Sequence, residues 1–463
     1  MAIIAAVMVP HPPIIIPKIG KGEEKKISDT IRAYQQAMKF VASYQPETII
    51  ISSPHALSYF DYLNISSSPE LSGSLYRFGD NERFTLKTDE ELLKIITKLT
   101  QAENFPGGIQ GQQDPDISSD HGTLIPIYFL NQELQHYKVI HLGISGLDEL
   151  QHYRLGMLIE QACEKLNRKA VYIASGDLSH CQLASGPYGY KECGPQYDHR
   201  IMDIMGKGEF NQLFSFPEEE LEKAEVCGHK SFTIMAGAFN GRKVEAHSLS
   251  HEATFGVGYG IVTFEAGKED INRDFYSLEL IRRNNEYQKQ LKKEDTYVHL
   301  ARLSLETYLK TGMVIKPDSE LPEEMLKTKA GCFVSLHSNG QLRGCIGTIE
   351  ATKSNLALEI IHNAISASTR DPRFNPVRVN ELSSLTISVD VLGRTEDLTD
   401  LTQLDVKKYG VIVTKGRRRG LLLPNLDGVD TIEQQLEIAK QKAGLDPQEE
   451  DCTYQRFEVV RHL

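Results

Sequence analysis

The chain opens on an unbroken apolar run, Ile3–Val9, of the kind a strand buried on both faces shows. Apolar residues then recur at Ile27, Ile31, Tyr34, Met38 and Val41. Their spacing of four, three, four and three marks one face of a helix. A β-branched run over residues 48–52 follows Pro46 and reads as the next strand. Strand, helix and strand in that order build a right-handed βαβ unit with parallel strands. The pattern returns as a strand over 138–144, a helix over 147–166 and a strand over 170–174. The first 266 residues are therefore expected to form an α/β domain whose mainly parallel sheet is covered by helices.

The pattern changes over 267–296, which is dense in charge and amide groups (Arg282-Arg283-Asn284-Asn285, Lys292-Lys293-Glu294-Asp295) and reads as a linker or a bridging helix. A second domain is expected over 297–463. Leu300, Leu303, Leu305 and Leu309 fall on its first helix. Apolar runs flank Ser338-Asn339-Gly340-Gln341, and Asn-Gly between such runs is a hairpin signal. A helix over 356–367, a strand over 385–391, a second hairpin around 415–420, a helix over 433–443 and a strand over 457–460 complete an α+β reading.

At 463 residues the chain has room for two or three domains with sizeable cores. Its net charge of −12 argues against nonspecific binding of nucleic acid or an anionic membrane. The Arg417-Arg418-Arg419 run reads as a solvated hairpin tip. No segment reaches the ~18 apolar residues of a membrane span. The N-terminal run lacks a basic flank and meets Pro10-His11-Pro12-Pro13, so it reads as a strand and not a signal peptide. Seven dispersed cysteines without a CxxC pair suggest reduced thiols and a cytoplasmic location, and argue against a four-cysteine zinc site.

Candidate chemistry concentrates in the first domain, which holds 11 of the 15 histidines. His11 follows the first expected strand, His55 the second and His180 a later one. Ligands of open α/β sheets bind at the carboxyl ends of the strands, so these imidazoles should converge. Two neutral imidazoles and one carboxylate with open positions form a set suited to Fe(II).

Several motifs carry a resemblance. They are the Pro-His-Pro turn at His11, Ser53-Pro54-His55, Asp120-His121-Gly122, Gly176-Asp177-Leu178-Ser179-His180, and Cys227-Gly228-His229-Lys230-Ser231. In that order, over about residues 1–265, they resemble the class III extradiol ring-cleavage dioxygenases, a LigB-like catalytic-subunit superfamily that also contains the Memo proteins. The resemblance implies metal ligation by His11 and His55, an acid/base role for His180, and His121 near the substrate. It implies a Glu as third ligand, for which Glu225 is the nearest carboxylate. Cys227 and His229 stand as alternatives, because Memo-type relatives carry a Cys in this region. It further implies Fe(II), with Zn or Cu as the alternative, a catechol-like aromatic substrate and O2. Related subunits often pair, so a homo-oligomer is also expected. Asp177 either orients His180 or caps a turn, the turn being favoured. Tyr188 and Tyr190 read as a packed aromatic loop, with a pocket wall as the alternative.

In the second domain, Leu342-Arg343-Gly344-Cys345-Ile346-Gly347-Thr348, Ser368-Thr369-Arg370-Asp371-Pro372-Arg373-Phe374 and Gly420-Leu421-Leu422-Leu423-Pro424 resemble the AMMECR family. A fusion of this kind resembles components of the AmmeMemoRadiSam system, which implies a radical-SAM protein as partner. Arg343, Cys345 and Arg370 could line an anionic or nucleophilic pocket, although a buried cysteine is the commoner case.

Overall fold

The computed structural model describes residues 2–110, 115–338, 340–426 and 428–463. It divides into two compact units, the first ending at Ile281 and the second beginning at Arg282.

The first unit is built on six strands: β1 (Ile3–Val9), β2 (Thr48–Ser53), β3 (Lys138–Gly143), β4 (Ala170–Ser175), β5 (Arg242–Glu252) and β6 (Tyr259–Glu269). Their order across the sheet is β3-β2-β4-β1-β6-β5. The first four are mutually parallel, and β6 and β5 add an antiparallel pair at one edge. The helices are α1 (Ser28–Ser43), α2 (Glu90–Ala102), α3 (His121–Leu130), α4 (Glu149–Leu166), α5 (Cys193–Lys207) and α6 (His229–Gly237).

Alternate residues of each strand serve opposite cores, as the period of two demands. Ala6, Met8, Ile50, Ile140 and Tyr172 pack with Leu155, Leu158 and Ile159 of α4 and with Ile234 and Met235 of α6. Ala5, Val7, Ile49, Ile51, Val139 and Ile173 pack with Tyr34, Met38 and Val41 of α1 and with Leu124, Ile125 and Phe129 of α3. This is the helix-covered, mainly parallel sheet expected from the apolar runs. The β5–β6 hairpin has no counterpart among the strands read from the sequence.

Residues 267–296 contain the end of β6, a single 3-10 turn at Ile271–Arg273, and the helix α7 (Phe275–Leu291). The second unit continues with α8 (Thr296–Thr311), α9 (Leu356–Thr369) and α10 (Ile432–Lys442). Its strands are β7 (Cys332–Ser338), β8 (Gln341–Gly347), β9 (Leu385–Leu392), β10 (Glu396–Leu398), β11 (Tyr409–Lys415), β12 (Arg418–Leu422) and β13 (Thr453–His462). They form one antiparallel sheet in the order β8-β7-β9-β13-β11-β12, with β10 paired to β13. α8 and α9 cover the β7–β9 part, and α10 packs against β11 and β12. The unit is α+β, as read from the sequence. Both expected hairpins are present, although Asn339 of the first turn lies outside the described residues. Among the described residues no helix is long and apolar enough to cross a membrane.

Helix α6 carries the chain away from Cys227, so its seat on α4 matters to the site described below. Gly156 of α4 faces it at close range: a Cβ there would lie 1.9 Å from the Ile234 carbonyl oxygen. Gly237 is the reciprocal contact, with Tyr153 O at 1.9 Å from an added Cβ. Gly156→Ala is therefore expected to destabilise the first unit by about 1–3 kcal/mol through overpacking. A denaturant melt would measure this, and an unchanged midpoint would refute the close packing.

Candidate metal centre

The carboxyl ends of β1, β2 and β4 lie at one rim, and each delivers a histidine-bearing turn. His11 stands two residues beyond β1, between Pro10 and Pro12, whose fixed φ stiffens the turn. The Tyr34 hydroxyl on α1 donates to Pro10 O at 2.9 Å and anchors it further. His55 stands two residues beyond β2, after Pro54. Beyond β4 the chain passes through Gly176 and Asp177 to His180. A Cβ on Gly176 would lie 2.2 Å from Gly228 Cα. That backbone contact brings Cys227 against the end of β4, and a side chain at either glycine would separate them.

Nε2 of His55 lies 3.1 Å from Nε2 of His11, and Cys227 Sγ lies 3.7 Å from the same His11 atom. The three donor atoms all fall within 4.8 Å of one another. His11 Nδ1 is 3.0 Å from Ser175 Oγ, and its backbone N–H donates to Asp177 Oδ1 at 2.7 Å. With Nδ1 donating to the serine, the His11 lone pair sits on Nε2, toward His55 and Cys227. The Asp177 N–H donates to Cys227 Sγ at 3.2 Å. Asp177 Oδ2 lies 3.9 Å from His11 Nε2 and 4.0 Å from His180 Nε2.

His121, at the start of α3, stacks on His55 with ring centroids 4.2 Å apart and meets His11 edge-on at 5.2 Å. Its Nδ1 is buried without a hydrogen-bond partner among the described residues. Burial pushes the His11 imidazole well below its ordinary range, and His55 adds to the effect. Burial also lowers His121, to about 4, with His11 and His55 contributing. Burial lowers His180 as well, against the pull of Asp177. These imidazoles are therefore neutral near pH 7, the state in which a ring nitrogen can ligate a metal or accept a proton.

A cavity of about 730 Å³ opens over Cys227 and His180, with Tyr188, Ser145 and Lys230 in its walls. Tyr188 stacks on His180 at 5.3 Å. Tyr188 and Tyr190 are 53% and 56% exposed, so they do not form the packed aromatic loop expected from the sequence. Tyr188 is a wall instead.

The structure brings His11, His55, His121 and His180 together. Glu225 lines the same cavity as His180 but does not join the donor cluster of His11, His55 and Cys227. The short helix Glu218–Lys223 ends ahead of it, Glu225 adopts a left-handed conformation (φ 51°), and its carboxylate pairs with Lys191 at 3.4 Å. The side chain that stands with His11 and His55 is that of Cys227, two residues on. His229 is also withdrawn: its ring nitrogens meet Tyr197 Oη at 3.2 Å and Leu213 O at 3.1 Å. Asp177 is more than a turn residue, because both carboxylate oxygens face the histidines. Ser175 went unnoticed in the sequence, where a lone serine at a strand end gives no signal until the register is known. In the second unit Arg343 is clipped to Glu381 at 2.8 Å, and Arg370 is exposed. The guanidinium beside Cys345 is that of Arg373, which donates to Cys345 O at 3.2 Å.

With this geometry in place, the comparisons with known proteins fall into register. Residues 5–262 match the family model of the catalytic LigB subunit of aromatic ring-opening dioxygenase, and residues 298–462 match AMMECR1. A Clostridium acetobutylicum protein is 43% identical over 463 residues, covering 98% of each chain. A Thermotoga maritima protein is 54% identical over 170 residues, which are 36% of this chain and 98% of that one. Among solved structures, the Pyrococcus horikoshii protein PH0010 is 34% identical over 37% of this chain and 90% of its own, with a TM-score of 0.35. The chain belongs to the LigB catalytic-subunit family and carries an AMMECR1 domain after it.

The loop beside the cavity is held by a further neutral imidazole. His152 Nδ1 donates to Asp148 O at 2.8 Å, and Nε2 accepts from the Ser145 N–H at 3.2 Å. Burial pushes His152 down to about 3 from an ordinary 6.5. On acidification the unfolded imidazole takes up its proton first. The stability that His152 contributes is complete above about pH 6.5 and is lost as the pH falls toward 3. Thermal unfolding midpoints should drop between about pH 7 and pH 4, and His152→Gln should drop less steeply. Parallel profiles for the two proteins would refute the assignment.

Proposed function

We propose that the first unit is a metal-dependent enzyme whose ion is held by His11, His55 and Cys227, with His180 and His121 serving substrate at its open side. The observation that carries this reading is the thiol of Cys227 at the place where a carboxylate was expected. Nitrogen and sulfur donors bind zinc at about 2.0 and 2.3 Å, so ligands round one ion stand 3–4 Å apart. The 3.1 and 3.7 Å separations from His11 fall in that range, and the remaining pair, His55 with Cys227, lies within 4.8 Å. Thiolate with imidazole favours zinc or copper over the all-nitrogen-and-oxygen sets of Fe(II) oxygenases. The Ser175 contact to His11 Nδ1 is the outer support a ligating histidine ordinarily has. When bound, the ion supplies Lewis-acid polarisation of a substrate oxygen.

The remaining roles belong to the chain itself. His180 is neutral, stands at the cavity and lies 4.0 Å from Asp177 Oδ2, so it can take a substrate proton while the carboxylate steadies the imidazolium. His121 stacks on His55, and its buried Nδ1, unpaired among the described residues, is the nitrogen that would accept from a substrate group reaching this ring. Tyr188 covers His180 and offers a flat apolar surface to a ring or other planar group.

A second reading keeps the ring-opening chemistry named in the family description, with Fe(II), a catechol-like substrate and O2. Asp177 favours it, because a carboxylate 3.9 Å from His11 Nε2 could complete a 2-His-1-carboxylate set. Elemental analysis of protein purified without added metal distinguishes the two. Stoichiometric zinc or copper is expected, lost in His55→Ala and Cys227→Ser with the circular dichroism spectrum retained. Ser175→Ala should weaken metal binding about 10–100-fold. Bound iron, unaffected by Cys227→Ser, together with oxygen uptake on catechols would establish the second reading and overturn the first.

A further inference from the structure

A second constellation lies on the far side of His55. Ser66 follows the short strand Leu63–Asn64, and its Oγ lies 2.8 Å from Nδ1 of His141 on β3. The backbones are locked there, with the Ser66 N–H donating to His141 O at 2.9 Å. His141 Nε2 lies 2.9 Å from Asp120 Oδ2. Asp120 also accepts from Ser53 Oγ at 2.6 Å, Thr123 N at 3.1 Å and Thr123 Oγ1 at 2.7 Å. Burial alone would favour the protonated acid, but the hydrogen bonds from His141, Ser53 and Thr123 hold the Asp120 carboxyl below the usual carboxylate range. A carboxylate is an acceptor only, so the His141 proton sits on Nε2 and the Nδ1 lone pair faces the Ser66 hydroxyl. This is nucleophile, base and orienting acid in hydrogen-bonded sequence.

The array borders a cavity of about 340 Å³ that Ser66, His141 and Asp120 all line. Asn64, 5% exposed, lines the same cavity, and its Oδ1 has no hydrogen-bond partner among the described residues. A buried acceptor left open costs free energy unless a ligand donor meets it. The remaining walls mix polar groups, among them Ser68, Gln110 and Asp116, with the apolar Leu57, Ile65 and Ile117, and His55 closes one side. No lysine or arginine appears among the described lining residues.

We propose that Ser66, His141 and Asp120, none of them a proposed metal ligand, form a nucleophilic serine site that cleaves small uncharged or cationic acyl esters. Ser66 Oγ attacks the ester carbonyl carbon while its proton passes to His141 Nδ1. The tetrahedral adduct collapses, the bond to the alcohol oxygen breaks, and His141 returns the proton to that oxygen. Water then attacks the acyl-serine with the same base, releasing the carboxylic acid and restoring the hydroxyl. Asp120 is a positioning residue that fixes the tautomer. The Asp116 carboxylate and the absence of a lysine or arginine among the described lining residues disfavour anionic acyl groups, and the volume, at the small end for ligand sites, limits the acyl chain.

The test uses the full chain treated with chelator, so its outcome is independent of the metal reading. Diisopropyl fluorophosphate labelling is mapped by peptide mass spectrometry, alongside hydrolysis of p-nitrophenyl acetate. One adduct, on Ser66, is expected. Ser66→Ala should abolish labelling, and His141→Gln should slow both reactions roughly a hundredfold or more. Asp120→Asn can still cap α3 through Thr123, and it should slow labelling by a similar factor with the melting temperature nearly kept. Absence of the Ser66 adduct in the wild-type chain, labelling that survives Ser66→Ala, or labelling that requires restored metal would each overturn the proposal.

Discussion

The first unit turns on one constraint: an imidazole buried at the end of β1 cannot carry charge. His11 is 1% exposed, so a proton on both nitrogens would be costly, and with Nδ1 donating to Ser175 Oγ the lone pair is left on Nε2. The free lone pair then points in one direction only. Everything else at the rim is arranged around that direction. The end of β2 brings His55 to it, and the contact between Gly176 and Gly228 brings Cys227. His121 and His180 line the approach, with Asp177 buried between the histidines as the nearest negative charge.

The sheet was legible because its strands are buried on both faces. Ile3–Val9 and the β-branched run at 48–52 have no polar alternation to obscure them, and proline or a helix bounds each one. The histidines were legible for the same reason, since a residue just after a parallel strand has only one rim to occupy. The third member of the donor cluster was not. Which of Glu225, Cys227 and His229 faces inward depends on a left-handed residue and a main-chain contact between glycines distant in sequence. Neither leaves a periodic trace. The β5–β6 pair escaped because its outer strand alternates half-buried and exposed residues, with charge and histidine throughout. In the second unit the Asn-Gly signal and the alternation over 385–391 identified strands, whereas the ion pair of Arg343 with Glu381 needed the fold.

Asp120 ties two regions of the first unit together. It caps α3, whose first residue is His121, it accepts from Ser53 at the end of the strand that leads to His55, and it holds His141. The same carboxylate therefore fixes the start of a helix beside the histidine cluster and a ring nitrogen in the neighbouring cavity. Side chains sharing one buried acceptor are not energetically independent. Changes at Ser53 will be felt at His141, although the two residues lie on different strands.

The meeting of Gly176 and Gly228 has a bearing on how such a protein can diversify. The loop bearing Cys227 is fastened chiefly by main-chain atoms, through that contact and through the Gly228 N–H to Asp177 O at 3.0 Å, and the thiol adds one bond by accepting from the Asp177 N–H at 3.2 Å. The anchoring and the chemistry of the loop are thus separable. On the proposed reading, a single codon change at residue 227 can exchange sulfur for oxygen or nitrogen while the main-chain ties of the loop remain, so one scaffold can drift between metals over evolutionary time without first having to refold.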